Sequence, residues 1–485
     1  MTYIPKSMYN LTMILGKQVG CFLLTLATAG CMTIYEAQEA QRELEAKGAG
    51  SESAEGLLVY NLADYSLKEL VDFAMTNRPS VEASALAVVD ARLALREIAA
   101  DAPLVSYSPW TSPKLSLSAG YAASSESGKN LHWATEGNAS AGLSLQLLLY
   151  DFGRNEALAC AQAERVIAAE GEFIREGYTV FSEVAMAYFT LLESDAKLEV
   201  ALTNELEVAL HLQQTQDELA AGEKQMLDLT RAKLDLSEAR EAVISASNDV
   251  STAGAELMRA LGIDASRGTR NEVFPASGLG LAKVMRGFPI TKSPVEEVFQ
   301  LARTNAPAVA IARARLRAAS SSVDHAVADL MPSVSATVGL SWADPLWAWH
   351  WGVDAVQSVF QGFRKTTAVD RAVVQMRMAA ADVDEVEQQL SMDLETAIAV
   401  RDNALKAAES ARASVVHARE NLEMVKLQYA EGEASRVDFT DAVSGCATAL
   451  GRRISAFYAS QKAEARLFAL TGRLPDYREE LIQEK

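Results

Sequence analysis

The feature that most constrains this chain is a duplication. The stretch ELAAGEKQMLDLTRA at 218–232 recurs as QYAEGEASRVDFTDA at 428–442. Ala220/Ala430, Gly222/Gly432, Glu223/Glu433, Asp228/Asp438, Thr230/Thr440 and Ala232/Ala442 are identical at a constant offset of 210 residues. Gly432 is the only strong helix breaker between Gly362 and Gly445. A glycine at C′ adopts the left-handed conformation that closes the last carbonyls of a helix, so each copy reads as the tip of a helix–turn–helix. A chain with two such tips is built twice.

Downstream of each glycine the chain keeps strict 3-4 spacing. The first returning seam is Leu229, Ala232, Leu236, Ala239, Val243, Ala246, Val250, Ala253 and Leu257. The second, in the same register, is Phe439, Ala442, Cys446, Ala449, Arg453, Ala456, Ser460, Ala463 and Leu467. That spacing means coiled-coil packing, and alanine at alternate seam positions lets helices approach closely. Cys446 stands where the first copy has Leu236, so it reads as a packed apolar residue rather than a redox or metal group. Upstream of each glycine the helical pattern runs from about Arg154 and about Arg364, a length of roughly 100 Å at the α-helical rise.

Before each long helix lie alternating segments. PKLSLSAGY (113–121) sets Leu115, Leu117, Ala119 and Tyr121 against Ser116, Ser118 and Gly120. SAGLSLQLLLY (140–150) and PSVSATVGLSW (332–342) alternate likewise, and WHWGVDAVQSVF (349–360) does so more weakly. This is the period-two pattern of strands, each about as long as a membrane-spanning β-strand. A soluble sandwich alternates in the same way. Trp342, Trp347, Trp349 and Trp351 are expected to crowd one loop edge. Upstream of the strands, amphipathic helix pairs begin at Ser66 and Ser293. Each is broken at a Thr-Asn-x-Pro, at Thr76–Pro79 and Thr304–Pro307.

The N-terminus reads as an export signal: Lys6 and Lys17 flank or precede an apolar run, Val19 to Gly30, too short to span a membrane as a helix. The small residues before Cys31 resemble a bacterial lipobox, which would make Cys31 a lipidation site, although Thr28 stands where such motifs carry Leu. A plain signal peptide cut nearby is the alternative. The four cysteines form no CxxC pair, so neither a zinc site nor a disulfide framework is indicated. The five histidines show no ligand spacing; if the strands close a barrel, His350 and Asp354 are expected to face its lumen. A net charge of −19 argues against nucleic acid as a partner. No Ser-His-Asp or paired-carboxylate arrangement emerges, so no enzyme, cofactor or metal is expected.

Four strands cannot close a barrel, and open edges in lipid leave backbone groups unsatisfied. If these strands enter a membrane, chains must pool them. A trimer would supply twelve strands and twelve long helical segments.

The order of elements resembles the TolC family of bacterial outer-membrane efflux proteins over roughly 60–475. Its carriers are Tyr150-Asp-Phe-Gly-Arg154 and Phe360-Gln-Gly-Phe-Arg364, which look like the family's strand-to-helix Phe-Asp-Gly-Gly-Arg turn with one glycine replaced by Phe in each copy. Ala328-Asp-Leu-Met-Pro332 and Tyr429-x-x-Gly432 with Asp438-Phe-Thr-Asp441-Ala are further carriers. The resemblance implies a mainly α fold with a membrane β-barrel part: a homotrimer whose barrel continues into an α-helical tunnel in the periplasm. It implies an outer-membrane location in contact with lipid, no catalysis, and work with a periplasmic adaptor (membrane fusion protein) and an inner-membrane pump, in drug or metal efflux or type I secretion. It also implies that Asp228, Asp438, Asp441 and Tyr429 mark the periplasmic aperture. Asp438 and Asp441, at i and i+3, share a helix face. Helix-start acids favouring the N-terminal dipole would need no pore. The tip residues Gly222, Glu223, Lys224, Gly432, Glu433 and Ser435 would meet the adaptor. The expected layout is a signal segment 1–31, tether 32–60, repeat 1 over 61–264 (β-hairpin 113–150, helical hairpin 154–262), linker 265–292, repeat 2 over 293–474 (β-hairpin 332–360, helical hairpin 364–472) and tail 475–485. A periplasmic coiled-coil scaffold without a channel is the alternative; the amphipathic strands are what it leaves unexplained.

Overall fold

Both halves begin with the same punctuated helix pair. In the computed structural model, helix α1 (Leu67–Asn77) starts in a capping box: the Glu69 amide donates to Ser66 Oγ at 3.4 Å and the Ser66 amide to Glu69 Oε2 at 2.9 Å. The chain then turns at Arg78, held extended (φ −75°, ψ 126°) by the proline that follows. Pro79 opens α2 (Pro79–Ala100) at the position where a missing N–H costs nothing. The second half repeats the device with Ala306 (φ −62°, ψ 120°) between its first two helices, named below. The described residues are 66–100, 114–125, 135–222, 225–263, 285–287, 295–343, 346–358, 360–431, 433–472 and 480–482, all within the unit Leu62–Lys485. The expected signal segment with Cys31, the tether, most of the linker and tail, and Glu223, Lys224 and Gly432 lie outside them.

After α1 and α2 come β1 (Lys114–Ser125) and β2 (Thr135–Tyr150), then α3 (Arg154–Ala220) and α4 (Met226–Leu261). A short strand β3 (Met285–Gly287) precedes the second copy: α5 (Val295–Asn305), α6 (Pro307–Ala328), β4 (Ser333–Ala343), β5 (Leu346–Val356), α7 (Arg364–Ala430) and α8 (Arg436–Thr471). A last strand, β6 (Glu480–Ile482), pairs antiparallel with β3.

The strands form one antiparallel sheet in the order β1-β2-β4-β5. Its register sorts the side chains into two faces. Leu117, Leu143, Leu340 and Trp349 form one cross-strand row, and Leu115, Leu145, Val338 and Trp351 the next. The opposite face carries rows such as Ser116, Ser144, Gly339 and His350. Trp342 and Trp347 meet beside the β4–β5 turn, at the expected loop edge, with rings 6.3 Å apart, whereas Trp349 and Trp351 lie further along the strand. Trp347, Trp349 and Trp351 alternate along β5, all on the apolar face, because β5 begins at Leu346 rather than near 349.

The long helices pair as α3 with α4 and α7 with α8. Their seams carry the expected residues inward: Leu229, Ala232, Leu236, Ala239, Val250, Ala253 and Leu257 are buried, as are Ala442, Cys446, Ala449, Ser460, Ala463 and Leu467. Within the chain the two hairpins meet where α8 lies on α3, with Phe189 and Tyr458 rings 6.3 Å apart and Lys462 Nζ 2.8 Å from Glu193 Oε2. Helix α6 wedges between the long helices, with Arg315 and Arg317 paired to Glu172 and Glu164 of α3 and Arg313 paired to Glu387 of α7.

Each hairpin also closes on its own helix pair. The C-cap Gly472, at φ +66°, packs so tightly that a Cβ there would sit 2.6 Å from the Asn305 carbonyl oxygen. Gly262, at φ +77°, docks in the same way against Asn77 and Arg78. Tyr178 of the first copy donates to the Gly472 carbonyl at 2.6 Å and ties the copies together.

Candidate functional site

The sheet, the strand-to-helix junctions and the tips are the three zones where this chain departs from plain coiled-coil packing. The sheet's polar face is small and hydroxyl-rich: Ser116 and Ser144 hydroxyls lie 2.6 Å apart, and Ser118 Oγ donates to the Gly142 carbonyl at 3.2 Å. His350 lies flat over Gly339, where a Cβ would come within 2.2 Å of its imidazole. Asp354 stands on the same face opposite Ser335. Strands β1 and β5 are the sheet's edges, and among the described residues no further strand pairs with them.

At the junctions, two consecutive residues in the left-handed region turn each strand into its long helix: Phe152 (φ 55°) and Gly153 (φ 82°), then Gly362 (φ 58°) and Phe363 (φ 62°). The buried Asp151 carboxylate accepts from the Gly153 amide at 3.3 Å and the Asn155 amide at 2.8 Å, holding the first turn of α3. Asp329, at the end of α6, binds both helix starts. Its carboxylate reaches Arg154 Nη1 at 3.1 Å and Lys365 Nζ at 3.4 Å, and its carbonyl also accepts from Lys365.

At the first tip, α3 ends at Ala220 and Gly222 takes the left-handed turn at φ 83°. At the second, the Glu433 and Ala434 amides donate back to the Gln428 carbonyl at 2.8 and 3.2 Å. Each returning helix then starts on one of the sequence-flagged acids. Asp228 Oδ2 accepts from the Gln225 amide at 3.3 Å. Asp438 Oδ2 accepts from the Ser435 hydroxyl at 2.7 Å and the Ser435 amide at 3.0 Å, while Ser435 Oγ caps the Asp438 amide at 3.2 Å. Those bonds from Ser435, the hydroxyl first and then the amide, hold the Asp438 carboxyl below the usual range. So Asp228 and Asp438 are helix-capping acids in this chain. Asp441 is exposed one turn further on. Tyr429 is half-buried: its ring stacks on Phe439 at 5.2 Å and meets His211 of α3 edge-on at 5.5 Å.

The strongest polar link near the tips escaped the sequence reading. Arg436 Nη1 of α8 lies 2.7 Å from Asp235 Oδ2 of α4, with side chains only 12% and 20% exposed. Lys426 Nζ of α7 lies 3.2 Å from Glu207 Oε1 of α3. Both links join the two hairpins. The available signal was a difference between copies: at the 210-residue offset, Arg436 faces Met226 and Asp235 faces Gly445.

The same kind of difference marks a charged layer higher up. Glu464 (3% exposed) and Arg401 (6% exposed) are buried in the second hairpin, where the first has Gly254 and Leu191. Arg401 holds the neighbouring Asp402 at 3.0 Å. Burial pushes the Glu464 carboxyl up, against the attraction of Arg401 and with the help of Asp402. Below this layer a groove of about 250 Å³ runs between α3, α7 and α8, lined among others by Glu199, Asn204, Arg419, Cys446 and Arg453. Among the described residues no group of acids, histidines or cysteines is arranged to hold a metal ion. No described helix is long and apolar enough to cross a membrane.

Comparison with known proteins agrees with this geometry. No curated protein matches the chain by sequence. Among solved structures, the fold is similar to a membrane protein from Pseudomonas aeruginosa, with TM-score 0.71 at 20% identity over 88% of this chain and 94% of that one. It is similar to the outer membrane protein VceC of Vibrio cholerae, with TM-score 0.68 at 16% identity over 84% and 96%. The Campylobacter jejuni CmeC outer membrane channel gives TM-score 0.70 at 16% identity over 84% and 85%. The sequence profile described as outer membrane efflux protein matches 70–263 and 298–473, one segment per repeat. A scaffold reading leaves the two-faced sheet without a purpose, whereas a membrane channel requires it. With the profile covering both repeats, the chain belongs to the outer membrane efflux protein family, outer-membrane channels whose trimers continue a shared β-barrel into a periplasmic helical tunnel.

Proposed function

We propose that this channel passes to the exterior substrates delivered by an inner-membrane pump through a periplasmic adaptor, and that its helical tips form the regulated aperture. The observation that carries the aperture is the Arg436–Asp235 bridge, a largely shielded ion pair between hairpins at the level where the returning helices start. Truncating one partner of such a pair leaves the other charge uncompensated and costs about 3–5 kcal/mol, enough to loosen one hairpin from the other. Asp438 and Asp441 sit within two turns of it on α8, and in a three-fold assembly each recurs three times. Carboxylate rings of that kind favour cations and bind divalents. Asp228 and Tyr429 belong to the same level, and Gly222, Glu223, Lys224, Gly432, Glu433 and Ser435 would offer the adaptor its contact.

The test is single-channel recording of the purified trimer in planar bilayers. Arg436→Ala is expected to raise conductance by relaxing the tip. Asp441→Ala is expected to weaken block by divalent cations while leaving the Asp438 cap intact. Unchanged conductance in the first and unchanged block in the second would refute the aperture. Export with lipid on Cys31 completes the proposal, supported by the small residues before it. Radiolabelled palmitate should enter the wild type and not Cys31→Ser, and equal labelling would exclude that site.

A further inference from the structure

Helix α6 is a bridge. It lies on α7 of its own repeat through Arg313–Glu387, and on α3 of the other repeat through Arg315–Glu172 and Arg317–Glu164. The core of that second contact is a buried cluster of Ala168, Ile311 and Ala314. Ile311 fills the space over Gly171, where a Cβ would come within 2.7 Å of Ile311 Cγ1. Helix α2 is the counterpart of α6, with the same 22 residues starting on a proline. It lies on its own α3, where Arg92 Nη2 reaches Glu170 Oε1 at 2.6 Å and Gln162 Nε2 donates to the Ala91 carbonyl at 3.3 Å. Its outer face carries Leu86, Val89 and Leu93, all exposed. Their i, i+3, i+7 spacing makes one apolar stripe.

The duplication says what belongs on that stripe. In a ring of duplicated chains, the step that carries repeat 1 onto repeat 2 carries repeat 2 onto repeat 1 of the neighbouring copy. The contact of α6 with α3 then recurs as a contact of α2 with the neighbour's α7. Pro79 corresponds to Pro307 and Arg154 to Arg364, which fixes the residues. Ala314 and Ala168 become Leu86 and Met378, two small residues replaced by two large ones. Ile311 over Gly171 becomes Ala83 over Ala381, so the added Cβ is matched by the lost isoleucine. The Arg317–Glu164 ion pair becomes Val89 and Val374, and Arg315–Glu172 becomes Ala87 and Asp382. Leu86 and Met378 are 58% and 63% exposed in the single chain. Both sides of the contact have changed together, although they lie on separate helices of separate repeats.

We propose that α2 seats on α7 of a neighbouring copy, Leu86 against Met378 and Val89 against Val374, so that the seam between subunits is apolar where the seam within a subunit is ionic. The exchange also makes the two seams exclusive. On a neighbour's α7, α6 would drive Ile311 into the Cβ of Ala381 and lay Arg317 over Val374.

The experiment uses the full-length trimer in a Cys160→Ser background. Leu86→Cys with Met378→Cys, treated with a short bis-methanethiosulfonate, is expected to give covalent dimers and trimers on denaturing gels. Neither single variant should do so. Ala314→Cys with Ala168→Cys, the same place in the seam within the chain, should link inside the monomer alone. A link confined to the monomer in the first pair, or none while the second pair closes, would overturn the proposal. A charge transplant reads the chemistry of the seam. Val89→Arg is expected to deplete the heat-resistant trimer, and adding Val374→Glu to restore it at low ionic strength, with the gain shrinking as salt screens the new pair. No depletion by Val89→Arg, or a deeper loss when Val374→Glu is added, would equally overturn it.

Discussion

At the scale of single residues, the positions that matter are those where the two copies disagree. Glu193 and Glu464 show how burial can be resolved in opposite directions. Burial raises Glu193, but hydrogen bonds and charge from Lys197 and Lys462 outweigh it and hold that carboxyl below its usual value. Glu464 has one oxygen without a hydrogen-bond partner and is raised. The signs follow from linkage. Glu193 contributes stability present above the ordinary carboxyl pKa of 4.5 and lost on acidification. Glu464 favours the fold while protonated, and that contribution is lost as pH rises above 4.5 through its raised value. Glu464→Gln is therefore expected to melt like the wild type near pH 4 and at a higher temperature than the wild type at pH 8, measured by scanning calorimetry. A gap that does not widen with pH would contradict this. Neither residue was legible as special in the sequence, because a lone acid in an alanine-rich helix looks like a solvated one until the packing is known. Arg436 and Asp235 were hidden for a related reason: partners 201 residues apart leave no local pattern.

Elements were far more legible. A 3-4 seam bracketed by glycines specifies a long helical hairpin wherever it occurs, and the chain uses it twice. The Asn-x-Pro breaks were readable as well, since proline disfavours the helical conformation for the residue before it. What the sequence did not disclose is that each break receives the glycine ending its own hairpin. That docking makes a definite demand. Gly472→Ala must adopt φ +66° and push a methyl group to 2.6 Å from the Asn305 oxygen, so a loss of about 2–3 kcal/mol is expected. Gly153→Ala meets nothing within 4 Å and bears the backbone strain alone, about 1–2 kcal/mol. Thermal melts of the two variants should rank in that order. The fourth strand was the least legible element, because three tryptophans at alternate positions resemble a loop-edge cluster as readily as one face of a strand.

For the whole molecule the sheet sets the terms. Four strands with one apolar and one hydroxyl-rich face must find others of their kind, and three copies close the ring. Leu117→Arg places a charge on the apolar face, where it costs about 2–4 kcal/mol at mid-membrane. It is expected to deplete the heat-resistant trimer on unboiled gels. Ser116→Arg, one residue away on the opposite face, should leave the trimer intact, and equal depletion by both would argue against the assignment of faces. The contact between α3 and α8 has a kinetic consequence. It is a seam of the tunnel wall made within one chain, where the effective concentration of the partners is fixed by the tether between them. Half of the tunnel's six hairpin-to-hairpin seams can form during the folding of a solitary polypeptide, before it meets another. Assembly then has only three seams left to find by diffusion, so doubling the repeat within one chain shortens the search by half.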